Sequence, residues 1–245
     1  MGNRHTELLL AAVSYFLGGS SLLFFAVFLW VGNFNLINFG WSESKALMFN
    51  AGLSLAFFLQ HSIMVRPLFK QQLSKLIPDT YHGAFYSIFS GTLLLMVIAF
   101  WQSTSVLWQA QGLMHLFMRM FFILSIFGFF WTVKSLGFFD PFGIKEIREH
   151  MRKAKAPPVK FTVKGPYRWV RHPVYFLVLI MIWSCPDLSA DRLLFNIMWS
   201  LWIIIGAILE ENDLISQFGN TYSEYQKSVP MFLPYKGIFT GQKNH

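Results

Sequence analysis

The motif GPYRWVRHPVY (residues 165–175) ends the longest polar segment of the chain and runs directly into an apolar stretch. The Gly-Pro pair at its start predicts a turn. Pro173 suits the first turn of a helix, where its missing N–H removes no hydrogen bond, and it disfavours helical geometry at His172. We therefore expect Arg168, Arg171 and His172 to lie just outside a helix N-terminus, whose N–H groups and partial positive charge favour an anionic ligand group.

A pair of carboxylates further along the chain is the expected partner of these basic residues. Glu210-Glu211 ends an apolar run. Two adjacent carboxylates at the end of an apolar helix are costly unless they are paired or solvated. The alternatives are an ion pair with Arg171 or Arg168, which would support the site structurally, and direct contact with a ligand. Arg168 alone is also consistent with simple anchoring beside a membrane segment.

The composition is that of a membrane protein. Of 245 residues, 54% are hydrophobic and only 13% are charged, and long apolar runs are present. The net charge of +8 comes from basic residues beside these runs, which favours a membrane surface over nucleic acid. The single cysteine, Cys185, excludes an intrachain disulfide and suits buried packing. The scattered histidines do not have the spacing of a metal site, so no metal is expected.

Six apolar runs predict an all-α, polytopic membrane protein with about six transmembrane helices. We treat residues 1–245 as one integral membrane domain, with four spans in 1–133, a basic connector in 134–164 and the motif region in 165–245. The first run is too long for a cleavable signal. The predicted spans are residues 8–31, 46–64, 85–100, 113–133, 174–185 and 193–209.

The last two runs are short, and we predict that they form a tilted or re-entrant hairpin. As a helix, residues 174–185 cover only about half of the hydrocarbon thickness, and residues 193–209 are marginal. Alternatively, the fifth helix begins near Tyr167 and includes the arginines. Irregular backbone at membrane depth is tolerated only inside protein or beside a water-filled cavity, and a cofactor cavity would explain it here.

Lysine and arginine predict the orientation in the membrane. With six crossings and the N-terminus inside, seventeen of these residues are cytoplasmic, whereas the outer loops hold only Lys45 and Arg192. We therefore expect both termini, the motif and the paired acids on the cytoplasmic side. Residues 144–155 predict a basic amphipathic helix on the membrane surface, ended by Pro157.

Further motifs accompany this pattern: EExxL at 210–214, FGxxYxxY at 218–225 and a Pro-bounded tail. Together with GPYxxxRHPxY they resemble the isoprenylcysteine carboxyl methyltransferase superfamily of integral membrane enzymes, which use S-adenosylmethionine (SAM). LQHSxMxRPxFK at 59–70, FDxFG at 139–143 and the WxxPxxxxxxLLF pattern at 183–195 extend the resemblance to most of the chain. They make it most similar to the methanethiol S-methyltransferase branch, and nurim, a nuclear envelope protein, shares part of it. Relatives often have Gly where this chain has Leu177.

The resemblance implies methyl transfer from SAM to a small thiol, converting methanethiol to dimethyl sulfide. No GxGxxG opens a strand–helix unit, so SAM would bind by a non-Rossmann route. Arginine and the helix N-terminus suit the SAM carboxylate, acids suit its ammonium or ribose, and tyrosines suit its adenine and sulfonium. The predicted cofactor-binding residues are Tyr167, Arg171, His172, Pro173, Tyr175, Glu210 and Glu211. Tyr222 and Tyr225 are equally consistent with a site role and an interfacial belt.

The predicted catalytic residues are His61 and Asp140, because a thiolate attacks better than a thiol and a base or a cationic neighbour is needed. His61 lies in an apolar run, where an ionisable group suggests function. Its alternative is a neutral histidine hydrogen-bonded to a neighbouring helix. The alternative for Asp140 is a helix cap or a turn.

Two other functions remain open. One is a methyltransferase for a lipid-like acceptor such as isoprenylcysteine carboxylate, which requires a gap open to the bilayer. The other is a non-enzymatic, nurim-like membrane protein, which would lack affinity for SAM.

Overall fold

A computed structural model describes residues 4–137, 140–152 and 161–237 of the chain. The predicted all-α polytopic fold is confirmed, since the regular structure is helical apart from two short strands. The helices are α1 (Arg4–Val31), α2 (Glu43–Met64), α3 (Pro67–Leu73), α4 (His82–Phe100), α5 (Gly112–Leu136), α6 (Ile144–Met151), α7 (Pro173–Trp183), α8 (Ala190–Phe218) and α9 (Asn220–Ser228). Strands β1 (Val106–Gln109) and β2 (Asp187–Ser189) form a two-stranded sheet.

Five helices in the described ranges are long and apolar enough to cross a bilayer: α1, α2, α4 with the 3-10 turn Asp79–Tyr81 before it, α5 and α8. Large apolar side chains such as Phe16 and Phe127 are exposed on them, as expected of helices in lipid. The chain is thus a multi-pass membrane protein. Its orientation stays a prediction.

The last two apolar helices differ in length. α7 has 11 residues, which matches the short fifth run. α8 has 29 residues and continues past the predicted end at residue 209, through Glu210-Glu211, to Phe218. The second arm of the predicted hairpin is therefore long enough to cross a bilayer.

The described residues pack as two compact units. The first unit contains residues 4–108, 140–152 and 187–195, and the second contains residues 109–137, 161–186 and 196–237. The prediction of a single membrane domain stays a prediction.

Small residues bring α1 and α4 together in the first unit. A Cβ added to Gly91 would lie 2.9 Å from the Leu17 carbonyl oxygen, and one added to Gly18 would collide with Ser87. The Ser21 hydroxyl donates to the Gly18 carbonyl at 2.8 Å, so its polar group is satisfied within α1. Gly18 and Gly91 thus allow the close approach of the two helices.

Arg192 lies in the first turn of α8 and is buried in the first unit, so its assignment to the loop before that helix was wrong. Only 3% of its surface is exposed. Its guanidinium donates to the carbonyls of Phe28 at 3.2 Å and Leu29 at 2.8 Å, near the C-terminus of α1. It also lies over the rings of Phe28 and Phe195. These interactions stabilise the buried charge, because helix C-termini and aromatic faces both attract cations.

Asp191, the neighbour of Arg192, is also buried. Its carboxylate accepts hydrogen bonds from Trp101 Nε1 at 2.8 Å, from the Thr104 N–H at 3.0 Å and from the Thr104 hydroxyl at 2.8 Å. These bonds fix the loop after α4 to the start of α8.

In the second unit, α5 packs against α7 and supports the motif. A Cβ on Gly128 would lie 2.9 Å from Leu177 Cδ2, so Leu177 fills the space that this glycine leaves. Gly165 has a φ of +53°, and a Cβ there would collide with the Ser135 side chain. Glycine is therefore required at the start of the motif, both by its backbone conformation and by its close contact with α5.

Candidate functional site

The motif folds as its sequence predicts. The Gly-Pro pair opens a 3-10 turn, Gly165–Arg168, and Pro173 is the first residue of α7. His172 has φ −120° and ψ 62°, outside the helical region. Arg168, Arg171 and His172 thus lie just before a helix N-terminus, with Arg168 exposed and His172 buried.

Arg171 forms a bidentate ion pair with Glu211. Its Nε lies 2.6 Å from Glu211 Oε1, and its Nη2 lies 3.2 Å from Glu211 Oε2. Its Nη1 donates to the carbonyls of Gln226, at 3.0 Å, and Val229. All three guanidinium nitrogens are therefore engaged by protein. Each of the two charged side chains is only 12% exposed, so each compensates the burial of the other.

His172 joins the two acids to an aromatic surface. Its Nε2 lies 3.0 Å from Glu211 Oε1, and its Nδ1 lies 3.7 Å from Glu210 Oε2. Its ring stacks on Tyr175, with centroids 5.4 Å apart and an interplanar angle of 8°. The prediction that the basic motif meets the paired acids is confirmed.

The segment after α9 is bonded to the same motif through its main chain. The Arg171 N–H donates to the Pro230 carbonyl at 2.9 Å, and the His172 N–H donates to the Met231 carbonyl at 3.1 Å. From α9, Gln226 Nε2 donates to Glu211 Oε2 at 2.8 Å. The motif, the end of α8, α9 and the tail thus form one hydrogen-bonded assembly.

A cavity of about 300 Å³ adjoins this assembly within the second unit. Its lining residues are Leu136, Phe161, Thr162, Val163, Tyr167, Arg171, His172, Val174, Tyr175, Glu210, Leu214, Phe218, Tyr222 and Tyr225. Most of these side chains are apolar or aromatic, and the charged and imidazole groups come from the motif and from Glu210. This mixture is typical of a small-molecule site.

The aromatic part of the lining is tightly packed. The Phe161 ring centroid lies 5.7 Å from that of Tyr222 and 5.3 Å from that of Tyr225. The Tyr225 hydroxyl donates to the Tyr167 carbonyl at 2.6 Å. Burial, followed by nearby negative charge, raises the pKa of the Tyr167 and Tyr222 hydroxyls. They are therefore neutral at physiological pH.

Most of the predicted cofactor-binding residues line this cavity. Those that line it are Tyr167, Arg171, His172, Tyr175 and Glu210. Glu211 is outside the lining and holds Arg171 and His172, while Pro173 is buried at the start of α7. Their roles toward a cofactor stay predictions.

Sequence reasoning missed two contributors. Gln226 donates to Glu211. The sequence feature that could have identified it is its position directly after Tyr225, the last residue of the FGxxYxxY motif. Phe161 packs against Tyr222 and Tyr225, but no pattern in the polar connector distinguished it.

The two predicted catalytic residues belong to the first unit. His61 Nε2 lies 2.7 Å from the Tyr86 hydroxyl of α4. Asp140 accepts from the N–H groups of Ile144 at 3.2 Å and Lys145 at 2.6 Å, and so caps α6. Both contacts match the structural alternatives considered for these residues, and their roles as bases stay predictions. The predicted surface helix begins at Ile144 as expected; its last residues, from 153 on, and Pro157 lie outside the described residues.

The sequence model of the NnrU protein family matches residues 48–212 of this chain, a range that includes the GPYRWVRHPVY motif and both Glu210 and Glu211. The chain belongs to the NnrU family. No solved structure matches this NnrU-family chain with statistical significance.

The chain is also similar in sequence to proteins named methanethiol S-methyltransferase and to nurim. It is 34% identical to the methanethiol S-methyltransferase of a Pseudomonas species, over 80% of this chain and 76% of that protein. It is 29% identical to the methanethiol S-methyltransferase of Crocosphaera subtropica, over 78% of this chain and 76% of that protein. It is 24% identical to rat nurim, over 69% of this chain and 68% of nurim. The resemblance described above is thereby confirmed, and these names support a methyltransferase of this family.

Proposed function

We propose that the chain is a SAM-dependent thiol methyltransferase that converts methanethiol to dimethyl sulfide. The observation that carries the proposal is the cavity of about 300 Å³ beside the RHP motif, with aromatic walls and the Glu210 carboxylate at its edge. The relatives named methanethiol S-methyltransferase support the choice of acceptor.

The lining fits the chemical groups of SAM. The first turn of α7 contributes Val174 and Tyr175, and a helix N-terminus suits the SAM carboxylate. Glu210, with 46% of its side chain exposed, suits the ammonium or the ribose hydroxyls. The faces of Tyr167, Tyr175 and Tyr222 suit the adenine and the sulfonium, because aromatic faces attract cations.

Arg171 takes a positioning role in this proposal. Its three nitrogens already bind Glu211 and two carbonyls, so it holds α8, α9 and the tail in place around the cavity. The α7 N-terminus then binds the carboxylate of the cofactor. This mode of binding differs from the direct contact with Arg171 that the sequence led us to expect. Glu211 acts through Arg171 and His172 in the same way.

Bound SAM supplies a methyl group on a sulfonium sulfur. With methanethiol as acceptor, the thiol sulfur would take this methyl group as the carbon–sulfonium bond breaks, and its proton would pass to a base. The products would be dimethyl sulfide and S-adenosylhomocysteine. The aromatic walls of this chain exclude water and fix the direction of attack. The roles of His61 and Asp140 as candidates for this base stay predictions from the sequence.

Purified protein assayed with methyl-labelled SAM tests the proposal. We expect label to appear in dimethyl sulfide with methanethiol as acceptor, and not in a prenylcysteine ester. Label only in the ester would favour the lipid-like acceptor instead.

Calorimetry with S-adenosylhomocysteine separates an enzyme from a non-enzymatic protein. We expect binding that is lost in Glu210→Lys, because the substitution reverses the charge at the edge of the cavity. Absence of binding to the unmodified protein would favour the nurim-like alternative.

A further inference from the structure

A second cavity lies in the first unit, where α2 ends at Met64 and α4 begins at His82. It measures about 820 Å³. Its lining residues are Met64, Val65, Pro67, Leu68, Lys70, Gln71, Leu73, Ser74, Asp79, His82, Gly83, Tyr86 and Glu146. Because membrane-crossing helices end here, the cavity lies at the level of lipid headgroups.

One side of this cavity is apolar and faces outward. α3 follows α2 directly, and its Leu68 is 78% exposed. Leu76, shortly after α3, is 82% exposed. Exposed leucines beside Lys70 and Lys75 are typical of a short segment lying in the membrane interface, where its apolar side chains enter the acyl region and its cations meet phosphates.

The other side carries charges of both signs. Lys70 supplies a cation, and Glu146 and Asp79 supply carboxylates. Burial and the neighbouring Asp140 raise the pKa of Glu146, although Lys70 and His82 oppose the shift. A cation bound beside Glu146 would therefore be stabilised by its carboxylate, and an anion would find Lys70 within the same cavity.

His82 provides a buried polar atom without a protein partner. Its side chain is 10% exposed, and its Nε2 has no hydrogen-bond partner among the described residues. Asp79 Oδ1 is 3.7 Å away, beyond hydrogen-bond distance. A buried polar atom of this kind is costly unless it has a hydrogen-bond partner. An oxygen of a ligand in the cavity would be a partner for the protonated nitrogen.

We propose that this cavity binds the headgroup of a phospholipid that carries a primary ammonium, such as phosphatidylethanolamine. The phosphate lies at Lys70 and His82, the ammonium lies at Glu146, and the acyl chains leave past Leu68. A quaternary ammonium donates no hydrogen bond to Glu146, and a glycerol headgroup leaves that carboxylate without a cation. Lys70, His82 and Glu146, which carry this proposal, have no part in the proposed methyltransferase function.

Native mass spectrometry of the full chain in detergent, with equal amounts of three lipids, tests this proposal. We expect phosphatidylethanolamine to be retained about tenfold more than phosphatidylcholine or phosphatidylglycerol, the size of one charge-assisted hydrogen bond. Glu146→Gln should remove the preference. Glu149→Gln should keep it, because Glu149 is on the same helix but outside the lining and faces Lys145 at 3.9 Å.

A second pair of variants probes the phosphate end. Lys70→Ala should lower retention of phosphatidylethanolamine several-fold, whereas Lys75→Ala, outside the lining, should not. Lys70 is exposed, so this test remains available if a substitution at His82 or Glu146 prevents folding. Equal retention of the three lipids, or equal effects of each variant and its control, would overturn the proposal. Thermal stabilisation by inorganic phosphate that matches that by phosphatidylethanolamine would replace the lipid with a simple anion.

Discussion

Arg171 and Arg192 are two largely buried arginines, one in each unit, with different surroundings. Both donate to main-chain carbonyls, those of Gln226 and Val229 in one case and those of Phe28 and Leu29 in the other. Arg171 also binds a carboxylate and lines a cavity, whereas Arg192 lies over aromatic rings and lines neither of the two cavities described above. Of these two arginines, the one that adjoins a cavity is therefore the candidate for a ligand site.

The largest expected effect concerns the cluster around Arg192. Asp191→Ala leaves Trp101 Nε1 and two donors of Thr104 without their acceptor. We expect the free energy of unfolding to fall by about 3 kcal/mol. Thermal unfolding in detergent measures the loss, and Asp187→Ala, an exposed acid in the same strand–helix connection, is the control. Unchanged stability with loss of cofactor binding would reverse the roles assigned to the two arginines.

The next effect concerns the pair at the cavity. Arg171→Lys keeps the charge but cannot form the bidentate contact with Glu211 while also reaching the two carbonyls. We expect about 2 kcal/mol of lost stability, together with weaker binding of S-adenosylhomocysteine measured by calorimetry.

Arg168→Lys, in the same motif but exposed, serves as the control for this variant and should change neither quantity. If both substitutions weakened binding equally, a general effect of the motif's positive charge would explain the site better than the geometry of Arg171.

A smaller effect separates the two acids. Glu210→Gln removes a half-exposed carboxylate from the cavity edge, whereas Glu211 stays bound to Arg171. We expect about tenfold weaker cofactor binding with the melting temperature unchanged. Glu224→Gln, on exposed α9 surface with Lys227 as its partner, should bind normally. A drop in stability instead would make Glu210 a structural acid like Asp191.

The smallest effect is expected at Gln226. Gln226→Ala removes one neutral donor to Glu211 Oε2, while Arg171 and His172 still hold that carboxylate. We expect a loss of about 1 kcal/mol in stability and a slight loss of cofactor affinity. Thermal unfolding and calorimetry on the same preparation compare the two. A loss as large as that of Arg171→Lys would show that α9, rather than the ion pair, fixes the assembly.

The parts of the fold that the sequence predicted rest on strong local signals. Long apolar runs have few alternatives to membrane helices, and Pro173 determined where α7 begins. The meeting of Arg171 with Glu211 was predictable because a carboxylate at the end of an apolar helix needs a cation, and the motif offered one close by in the expected topology.

Other features depend on tertiary contacts that no local pattern reveals. Arg192 was placed in an outer loop because the predicted sixth run began at residue 193, and its contacts with α1 and Phe195 make its burial favourable. α8 runs past residue 209 and carries Glu211 to Arg171 and His172, although the apolar run that marked the helix in the sequence ends there. Relatives often have Gly at the position of Leu177, and the larger side chain fits here because Gly128 in α5 leaves space for it.

The main-chain bonds from residues 171 and 172 to Pro230 and Met231 also set an order of events during biosynthesis. Chain synthesis runs from the N-terminus, so the motif is made before the tail that bonds to it. Only once Met231 has been made can the Pro230 and Met231 carbonyls accept from the Arg171 and His172 N–H groups. This part of the assembly therefore forms after α7 has been synthesised.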